Sequence, residues 1–289
     1  MANPRVGFIG TGVMGTSMAS SIMKGGYELA VYNRTQQRAM PLVEKGAVLK
    51  PTVAELAAWA DVIITIVGYP KDVEQVYLGS GGILENAHPG AYVVDMTTSS
   101  PKLAARIYEA AKEKKIYALD APVSGGDVGA KNATLSIMVG GDESAFNALM
   151  PIFSLMGKNI MLHGGPGAGQ QTKMCNQIAI AATIMGVCEC LSYAKKAGLD
   201  GTKVLETLSG GAAASAQLSI YGPRIFKKDY DPGFYIKHFV KDMGIALEEA
   251  ESMKLEMPAL TLSKSLFDKL MDENMGDLGT QALYKLYEE

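Results

Sequence analysis

The chain has 289 residues, of which 48% are hydrophobic and 20% are charged, and its formal net charge is -3. This composition is typical of a folded globular protein and excludes intrinsic disorder. No segment is rich in lysine and arginine, which argues against nucleic acid or an anionic membrane as the main partner. The length favours two domains over one.

The N-terminal residues lead directly into an apolar run and lack the charged and apolar regions of a signal peptide, so we expect a cytoplasmic protein. The apolar run Ile178 to Cys188 is shorter than the roughly 20 residues that span a bilayer, so no membrane span is expected. Three scattered histidines and three cysteines on one predicted helix have no metal-ligand spacing. We therefore expect reduced thiols and no metal site.

From residue 5 to about 165, short β-branched runs alternate with helical segments, which predicts an α/β domain with a parallel sheet flanked by helices. The expected strands are Val6–Ile9, Leu29–Tyr32, Ala47–Leu49, Val62–Val67, Tyr92–Met96, Tyr117–Leu119, Leu135–Val139 and Asn159–Leu162. The expected helices lie near residues 13–25, 35–45, 52–59, 71–77, 101–113 and 143–156.

After Gly164–Gly167 the strand signals vanish and helical periodicity continues to the C-terminus. We therefore place a first domain at 1–165 and an all-helical second domain at 166–289, joined through a long helix at about 167–195. Later helices are expected at Asp200–Leu208, Lys237–Met253, Pro258–Met271 and Thr280–Tyr287, separated by Gly, Pro and Asp residues near 210, 222, 232, 258 and 276.

A glycine motif follows the first predicted strand and opens a helix: Gly10, Thr11, Gly12, Val13, Met14 and Gly15. In this context Gly10 permits a tight turn, Gly12 lets a pyrophosphate approach the backbone, and Gly15 lets the helix pack closely on the strand. The anion would then lie at the N-terminus of the helix. The motif predicts a dinucleotide-binding domain, against the alternative of a strand-to-helix turn without a ligand.

The residues after the second strand are Asn33, Arg34 and Thr35. An acidic residue there would accept a hydrogen bond from the ribose 2′-hydroxyl and repel a 2′-phosphate. An arginine suits a phosphate instead, because it donates two parallel hydrogen bonds to it. We therefore predict NADP(H) over NAD(H), the alternative being that Arg34 is a solvated surface residue. Arg38 is either a second phosphate contact or surface charge.

Two further segments carry candidate chemistry. The strand that ends in Asp120 continues through Pro122 and Val123 to Ser124, Gly125 and Gly126. Such a turn either presents N–H groups and a hydroxyl to a carboxylate or is only a tight turn, and the residues alone leave both possibilities open.

On the long predicted helix, Lys173 precedes Asn176 and Gln177 by three and four positions, so an ammonium and two amides share one face. The helix beyond them is apolar on every side, as in a buried helix. Lys173 is either a surface lysine at the helix start or a functional cation.

Together these motifs resemble the β-hydroxyacid dehydrogenase family, the group that includes 3-hydroxyisobutyrate dehydrogenase and tartronate semialdehyde reductase. They are GFIGTGVMG at 7–15, DAPVSGG at 120–126 with TLSIMVGG at 134–141, GAGQQTKMCNQ at 167–177 and KD at 241–242. The resemblance implies a Rossmann domain, a long helix that leads into an all-helical C-terminal domain, and a homodimer or homotetramer. Ala133 and Gln177 depart from the common family pattern, and both leave the substrate open.

The resemblance also implies residue roles. Lys173 would be the catalytic residue and Asn176 would orient a carboxylate-bearing substrate. The other implied substrate-binding residues are Ser124, Gly125, Gly126 and Gln177, and the further implied cofactor-binding residues are Val67, Thr98 and Lys241.

The implied activity is hydride transfer between NADP(H) and a small 3-hydroxy acid or its semialdehyde, resembling 3-hydroxyisobutyrate, tartronate or succinic semialdehyde or glyoxylate, with Lys173 as general acid/base. A lysine deprotonates poorly near neutrality, since its reference pKa is about 10.4, unless burial or a neighbouring cation such as Lys241 lowers it. One alternative is an imine reductase, a class that typically lacks lysine at this position. The other is a dinucleotide-binding scaffold without activity, which would not need Lys173 and Asn176.

Overall fold

The computed structural model describes residues 3–288. The chain forms two compact units that follow one another in sequence and divide between Lys173 and Met174. This division falls inside a long helix.

The first unit is built on a twisted sheet, which within the described residues has nine strands in the order β3-β2-β1-β4-β5-β6-β8-β7, with β9 beside β8. Their bounds are β1 Val6–Ile9, β2 Leu29–Tyr32, β3 Val48–Leu49, β4 Val62–Thr65, β5 Tyr92–Asp95, β6 Tyr117–Asp120, β7 Val123–Ser124, β8 Leu135–Gly141 and β9 Gly157–Gly164. Every pairing from β3 to β6 is parallel, as predicted. The prediction was wrong at β8, which runs antiparallel to β6 and β7 because the chain turns back there instead of crossing over the sheet.

Helices cover this sheet. Their bounds are α1 Val13–Lys24, α2 Met40–Val43 after a 3₁₀ turn at Gln36–Ala39, α3 Val53–Trp59, α4 Pro70–Leu78, α5 Ile83–Asn86, α6 Pro101–Glu113, α7 Gly126–Asn132 and α8 Glu143–Phe153. Strand side chains alternate between two buried clusters: Phe8 and Ile64 belong to one cluster, and their chain neighbours Ile9 and Ile63 belong to the other. Since successive strand residues face opposite sides, the sheet is packed on both faces, which confirms the predicted α/β architecture.

The second unit is helical. Its elements are α9 Ala168–Lys196, which starts in the first unit, α10 Gly201–Ser209, α11 Ala216–Phe226, α12 Ile236–Ser252, α13 Pro258–Asp272 and a 3₁₀ helix at Thr280–Tyr287. Phe239 and Phe267 pack edge to face, with ring centroids 5.1 Å apart, in its core. The separator expected near 222 was wrong, because Gly222 and Pro223 lie inside α11. A Cβ at Gly222 would lie 2.6 Å from Leu205 Cδ2, so glycine lets α10 and α11 pack closely there.

Helix α9 is, by length and composition alone, apolar enough to cross a bilayer, and no other helix in residues 3–288 meets that test. A core helix of a folded protein passes the same test. Ala181, Ile184 and Leu191 of α9 are buried in the hydrophobic core of the second unit. The structure thus packs one face of this helix within the protein, whereas Ala179, Ala182 and Gly186 are exposed, so the helix is not buried on every side as the sequence predicted.

Candidate functional site

The glycine-rich turn between β1 and α1 shows three different steric roles. Gly10 has φ +98°, and a Cβ there would lie 2.1 Å from Ile66 O. A Cβ at Gly15 would lie 1.9 Å from Gly10 O, so only glycine lets α1 pack against the turn. A Cβ at Gly12, by contrast, would meet no atom within 4 Å. Gly12 therefore leaves open space at the start of α1, where the first N–H groups of a helix need an acceptor and a pyrophosphate fits.

Asn33 connects this turn to the end of β2. Its Oδ1 accepts a hydrogen bond from Thr11 N at 3.0 Å, and its Nδ2 donates to Thr35 O at 2.9 Å. The buried Thr11 Oγ1 has no hydrogen-bond partner among the described residues. The structure therefore shows Asn33 shaping the turn, and it leaves a buried hydroxyl beside the open space at Gly12.

Arg34 lies on the surface, with 86% of its side chain exposed. Its Nη1 is 3.4 Å from Asp72 Oδ1, and Asp72 Oδ2 accepts from Tyr69 N at the start of α4. Thr35 and Arg38 are exposed as well. The guanidinium of Arg34, which is predicted to contact a 2′-phosphate, thus faces solvent and makes one long ion pair with Asp72.

The turn after β5 is fixed by a buried carboxylate. Asp95 Oδ1 accepts from Thr65 Oγ1 at 2.8 Å and from Thr97 N at 3.1 Å, and Thr97 Oγ1 accepts from Val67 N at 2.9 Å. Burial raises the pKa of Asp95 to about 6, because the charged form is poorly solvated inside the protein. Two predicted cofactor residues, Val67 and Thr98, therefore lie in segments that this network holds in place.

The predicted carboxylate turn is a backbone-rich surface. Ser124 ends the short strand β7, where it pairs with Ser136 of β8. Gly125 and Gly126 follow with φ +133° and +63°, values that side-chain-bearing residues rarely adopt. Gly125 is exposed. The two glycines leave bare main chain accessible beside the Ser124 side chain, as an anion-binding turn requires.

Lys173 is buried in the first turns of α9, with only 7% of its surface exposed. Its Nζ donates to Val123 O at 2.9 Å, one residue before Ser124. This burial is incompatible with the alternative of a solvated lysine at the helix start. The ammonium is held instead by a backbone carbonyl next to the predicted carboxylate turn.

In the second unit, the predicted site residues Asn176, Gln177 and Lys241 belong to one series of hydrogen-bonded polar side chains. Asn176 Nδ2 donates to Gln177 Oε1 at 2.6 Å, and Gln177 Nε2 donates to Asp242 Oδ2 at 2.6 Å. Asp242 Oδ1 lies 2.9 Å from Lys241 Nζ. Gln177 is 1% exposed, so its amide contacts protein groups in this structure, whereas the sequence predicted a substrate contact.

Three polar residues that are almost fully buried had no role predicted from the sequence: Asp120, Gln170 and Asp242. They lie within the motifs at 120–126, 167–177 and 241–242, and membership in those motifs is the only feature of the sequence that could have pointed to them. Among residues 3–288 there is no group of three or more His, Cys, Asp or Glu side chains placed to hold a metal ion.

Two family models match almost the whole chain. Residues 5–165 match the NAD binding domain of 6-phosphogluconate dehydrogenase, and residues 167–287 match the NAD-binding domain of NADP-dependent 3-hydroxyisobutyrate dehydrogenase. These two matches cover the glycine turn, the Ser124 turn and Lys173.

Similar proteins carry related names. The chain is 60% identical to an uncharacterized oxidoreductase, YkwC, of Bacillus subtilis, with 98% of both chains covered. It is 50% identical to the probable 3-hydroxyisobutyrate dehydrogenase-like 1, mitochondrial, of Arabidopsis thaliana, covering 98% of this chain and 84% of that protein. It is 39% identical to the 2-hydroxy-3-oxopropionate reductase of Escherichia coli, covering 98% of this chain and 97% of that protein.

Solved structures agree with these sequence matches. The 3-hydroxyisobutyrate dehydrogenase of Mycobacterium tuberculosis, solved with L-serine, superimposes with a TM-score of 0.90 at 26% identity over 100% of both chains. An imine reductase from a Pseudomonas species superimposes with a TM-score of 0.65 at 19% identity, covering 98% of this chain and 99% of that one. At this identity the likeness shows a shared fold alone. The sequence resemblance is thereby confirmed, and the chain belongs to the β-hydroxyacid dehydrogenase family of NAD(P)-dependent oxidoreductases.

Proposed function

We propose that this protein transfers a hydride between NADP(H) and a small 3-hydroxy acid or its semialdehyde, with Lys173 as the general acid/base. One observation carries the proposal: the buried Lys173 ammonium donates to Val123 O at 2.9 Å, directly before the Ser124 turn. The proposed proton donor is therefore next to the turn that we propose binds the carboxylate, both in the first unit. An enzyme that acts on a hydroxyl or carbonyl group near a carboxylate needs both.

The substrate class follows from the turn and from the relatives. Ser124, Gly125 and Gly126 hold the carboxylate through the hydroxyl and the exposed backbone. The names of the Arabidopsis and Escherichia coli relatives, a 3-hydroxyisobutyrate dehydrogenase-like protein and a 2-hydroxy-3-oxopropionate reductase, support a substrate of three or four carbons with an acid group. Glyoxylate and succinic semialdehyde, whose aldehyde carbons lie one carbon nearer to and one carbon further from the carboxylate, test how strictly the site requires this spacing.

The bound nicotinamide cofactor supplies or accepts the hydride. In the direction of reduction, Lys173 as an ammonium donates a proton to the carbonyl oxygen while negative charge develops on it. In the direction of oxidation, Lys173 as a neutral amine accepts the hydroxyl proton. Val123 O holds the nitrogen in one place in both directions. Asn176, three positions further along α9, orients the substrate, and Lys241 binds the cofactor.

We propose NADP(H) as the preferred cofactor because the residues after β2 provide an exposed guanidinium and no carboxylate at Asn33–Thr35. Arg34 can reach a 2′-phosphate from solvent and donate two hydrogen bonds to it. The expected homodimer or homotetramer and the cytoplasmic location stay predictions.

The deciding experiment is an assay of the purified protein with both cofactors and a panel of semialdehydes: tartronate, methylmalonate and succinate semialdehydes, and glyoxylate. We expect NADPH-dependent reduction of at least one of them. A cyclic imine in the same assay tests the imine reductase alternative, and its exclusive reduction would refute the proposal. Binding of NADPH without turnover of any compound would favour a scaffold instead.

A further inference from the structure

Asp120, the last residue of β6, lies against the N-terminus of α9. It is 5% exposed, its Oδ1 accepts from Gly167 N at 2.8 Å, and its Oδ2 accepts from Gln170 N at 2.8 Å. The first N–H groups of a helix have no partner within the helix, and a carboxylate also interacts favourably with the positive end of the helix dipole. Asp120 therefore fastens the start of α9 to the end of a central strand.

Glycines let α9 come this close. Asp120 pairs with Gly140 of β8, and a Cβ at Gly140 would lie 2.5 Å from Asp120 Oδ1 and 2.7 Å from Gly169 N. A Cβ at Gly169 would lie 2.3 Å from Met138 O. Any side chain at either glycine would push the helix away from the strands. The sequence thus places the start of α9 in direct contact with the backbone of β6 and β8.

Gln170 fastens the same turn of α9 to a second segment. It is fully buried, its Nε2 donates to Thr97 O at 2.7 Å, and its Oε1 accepts from Ser99 N at 2.9 Å. These two backbone groups flank Thr98. A single amide side chain therefore joins α9 to the turn that is predicted to contact the cofactor.

Lys173 follows Gln170 by three residues on this rigid helix, and its acceptor Val123 follows Asp120 by three residues. A helix rises about 1.5 Å per residue and moves as a unit, so a displacement of its first turn displaces Lys173. We propose that Asp120 and Gln170 are positioning residues, which fix Lys173 relative to the turns at 97–99 and 124–126. The inference rests on the proposed function, because it assigns Lys173 the catalytic role.

Two nearly isosteric variants test it. Asp120→Asn replaces one acceptor oxygen with an NH₂ group that opposes a backbone N–H. Gln170→Glu keeps the acceptor for Ser99 N but loses the donor to Thr97 O. A misplacement of about 1 Å can reduce a rate about 100-fold, so we expect kcat to fall about 10- to 100-fold in each variant. The Kd for NADPH should change little in Asp120→Asn, whose side chain bonds only to the start of α9. In Gln170→Glu it should rise, because that variant also loosens the turn that contains Thr98.

The matched control is Ser263→Ala. Ser263 is fully buried, and its Oγ donates to Ala181 O on α9, so the variant removes a buried hydrogen bond to the same helix beyond Lys173. We expect this control to lower Tm while it leaves kcat unchanged. The measurements are steady-state kinetics, fluorescence titration with NADPH, and thermal unfolding.

Unchanged kcat in both positioning variants, or an equal fall in kcat in the Ser263→Ala control, would overturn the inference. If Asp120→Asn fails to fold, Gln170→Glu carries the same test. If the wild type reduces no compound of the panel, the proposed function fails. Crystal structures of the two variants then test the positioning of Lys173 independently of activity. The inference expects Lys173 Nζ to leave Val123 O, and a retained contact at 2.9 Å in both variants refutes it.

Discussion

The surroundings of Lys173 and those of Arg34 differ in almost every physical respect. Lys173 is 7% exposed, it donates to a backbone carbonyl, and its helix is hydrogen-bonded to the end of β6 and to the turn at 97–99. The Arg34 side chain is 86% exposed and has one ion pair, of 3.4 Å, with Asp72. Both residues are candidates for function, yet one is built into the core and the other lies in solvent.

This difference matches two different tasks. Proton transfer requires a fixed distance to the reacting atom, and burial with several hydrogen bonds supplies it. Selection of a phosphate over a hydroxyl requires charge and reach, which an exposed arginine supplies with little structural cost. We therefore expect changes near Lys173 to affect kcat, and changes near Arg34 to affect the KM for the cofactor.

The largest effect is expected from Lys173→Ala. General acid/base catalysis typically contributes 10²- to 10⁴-fold, so kcat should fall about 1,000-fold while NADPH still binds. Lys264→Ala, which removes a lysine paired with Asp268 on α13, is the control and should keep full activity. Near-normal turnover in Lys173→Ala would remove the catalytic assignment. Stopped-flow absorbance at the NADPH band measures the fall in kcat.

The next effect is a pH dependence of stability. The pKa of Asp95 is about 6 in the folded protein against 3.8 in a model peptide, so the folded state binds this proton more tightly than the unfolded state does. The stability that the protonated Asp95 contributes is fully present below the unfolded pKa, and it is lost as the pH rises through about 6. Asp95→Asn removes this dependence.

Urea unfolding of both proteins should therefore show that wild type loses about 2 kcal/mol of stability relative to Asp95→Asn between about pH 4 and about pH 7. The comparison of two proteins cancels the other titrating groups. Parallel curves across this window would show that Asp95 is ionised at no cost in the folded state. The measurement tests how strictly the buried network around the 97–99 turn is isolated from solvent.

A smaller effect is expected at the exposed region. Arg34→Ala should raise the KM for NADPH about 10- to 100-fold and leave the KM for NADH unchanged, since a charge-assisted hydrogen bond contributes about 1.5–3 kcal/mol. Arg38→Ala in parallel distinguishes a second phosphate contact from surface charge. An equal rise in KM for both cofactors would show that Arg34 supports the fold of the turn and does not select the phosphate.

The smallest effect is expected from Asp72→Asn. This carboxylate pairs with Arg34 and adds a negative charge near the proposed 2′-phosphate position, whereas an asparagine keeps an acceptor for Tyr69 N. Exposed ion pairs contribute little, so the KM for NADPH should fall only about two- to fivefold. A rise in this KM would mean that Asp72 orients Arg34 productively. Kinetics with both cofactors measure the change.

The sequence predicted the elements whose signals are local. The parallel strands, the glycine turn and the long apolar helix each follow from periodicity or from glycine placement, and the structure contains them. It did not predict β7, which has two residues, or α11, because Gly222 and Pro223 usually interrupt a helix.

The buried polar residues could not be predicted for a different reason. Asp120 and Gln170 are polar residues at a strand end and a helix start, and such residues are commonly exposed. Their burial depends on backbone N–H and C=O groups that the fold brings to them from the turn at 97–99 and from the start of α9. A single sequence does not show which backbone groups will need a partner.

Helix α9 has a consequence for the exchange of domains between related enzymes. A chimera joined at residues 165/166 would take α9 from the other parent, and with it the partners of Asp120, the Gln170 amide and Lys173 itself. The segment that must be inherited together extends from the Rossmann strands through Lys173, the last residue of the first unit. A recombination point that preserves the proposed proton donor therefore lies inside a helix, where both parents must share the same helical register.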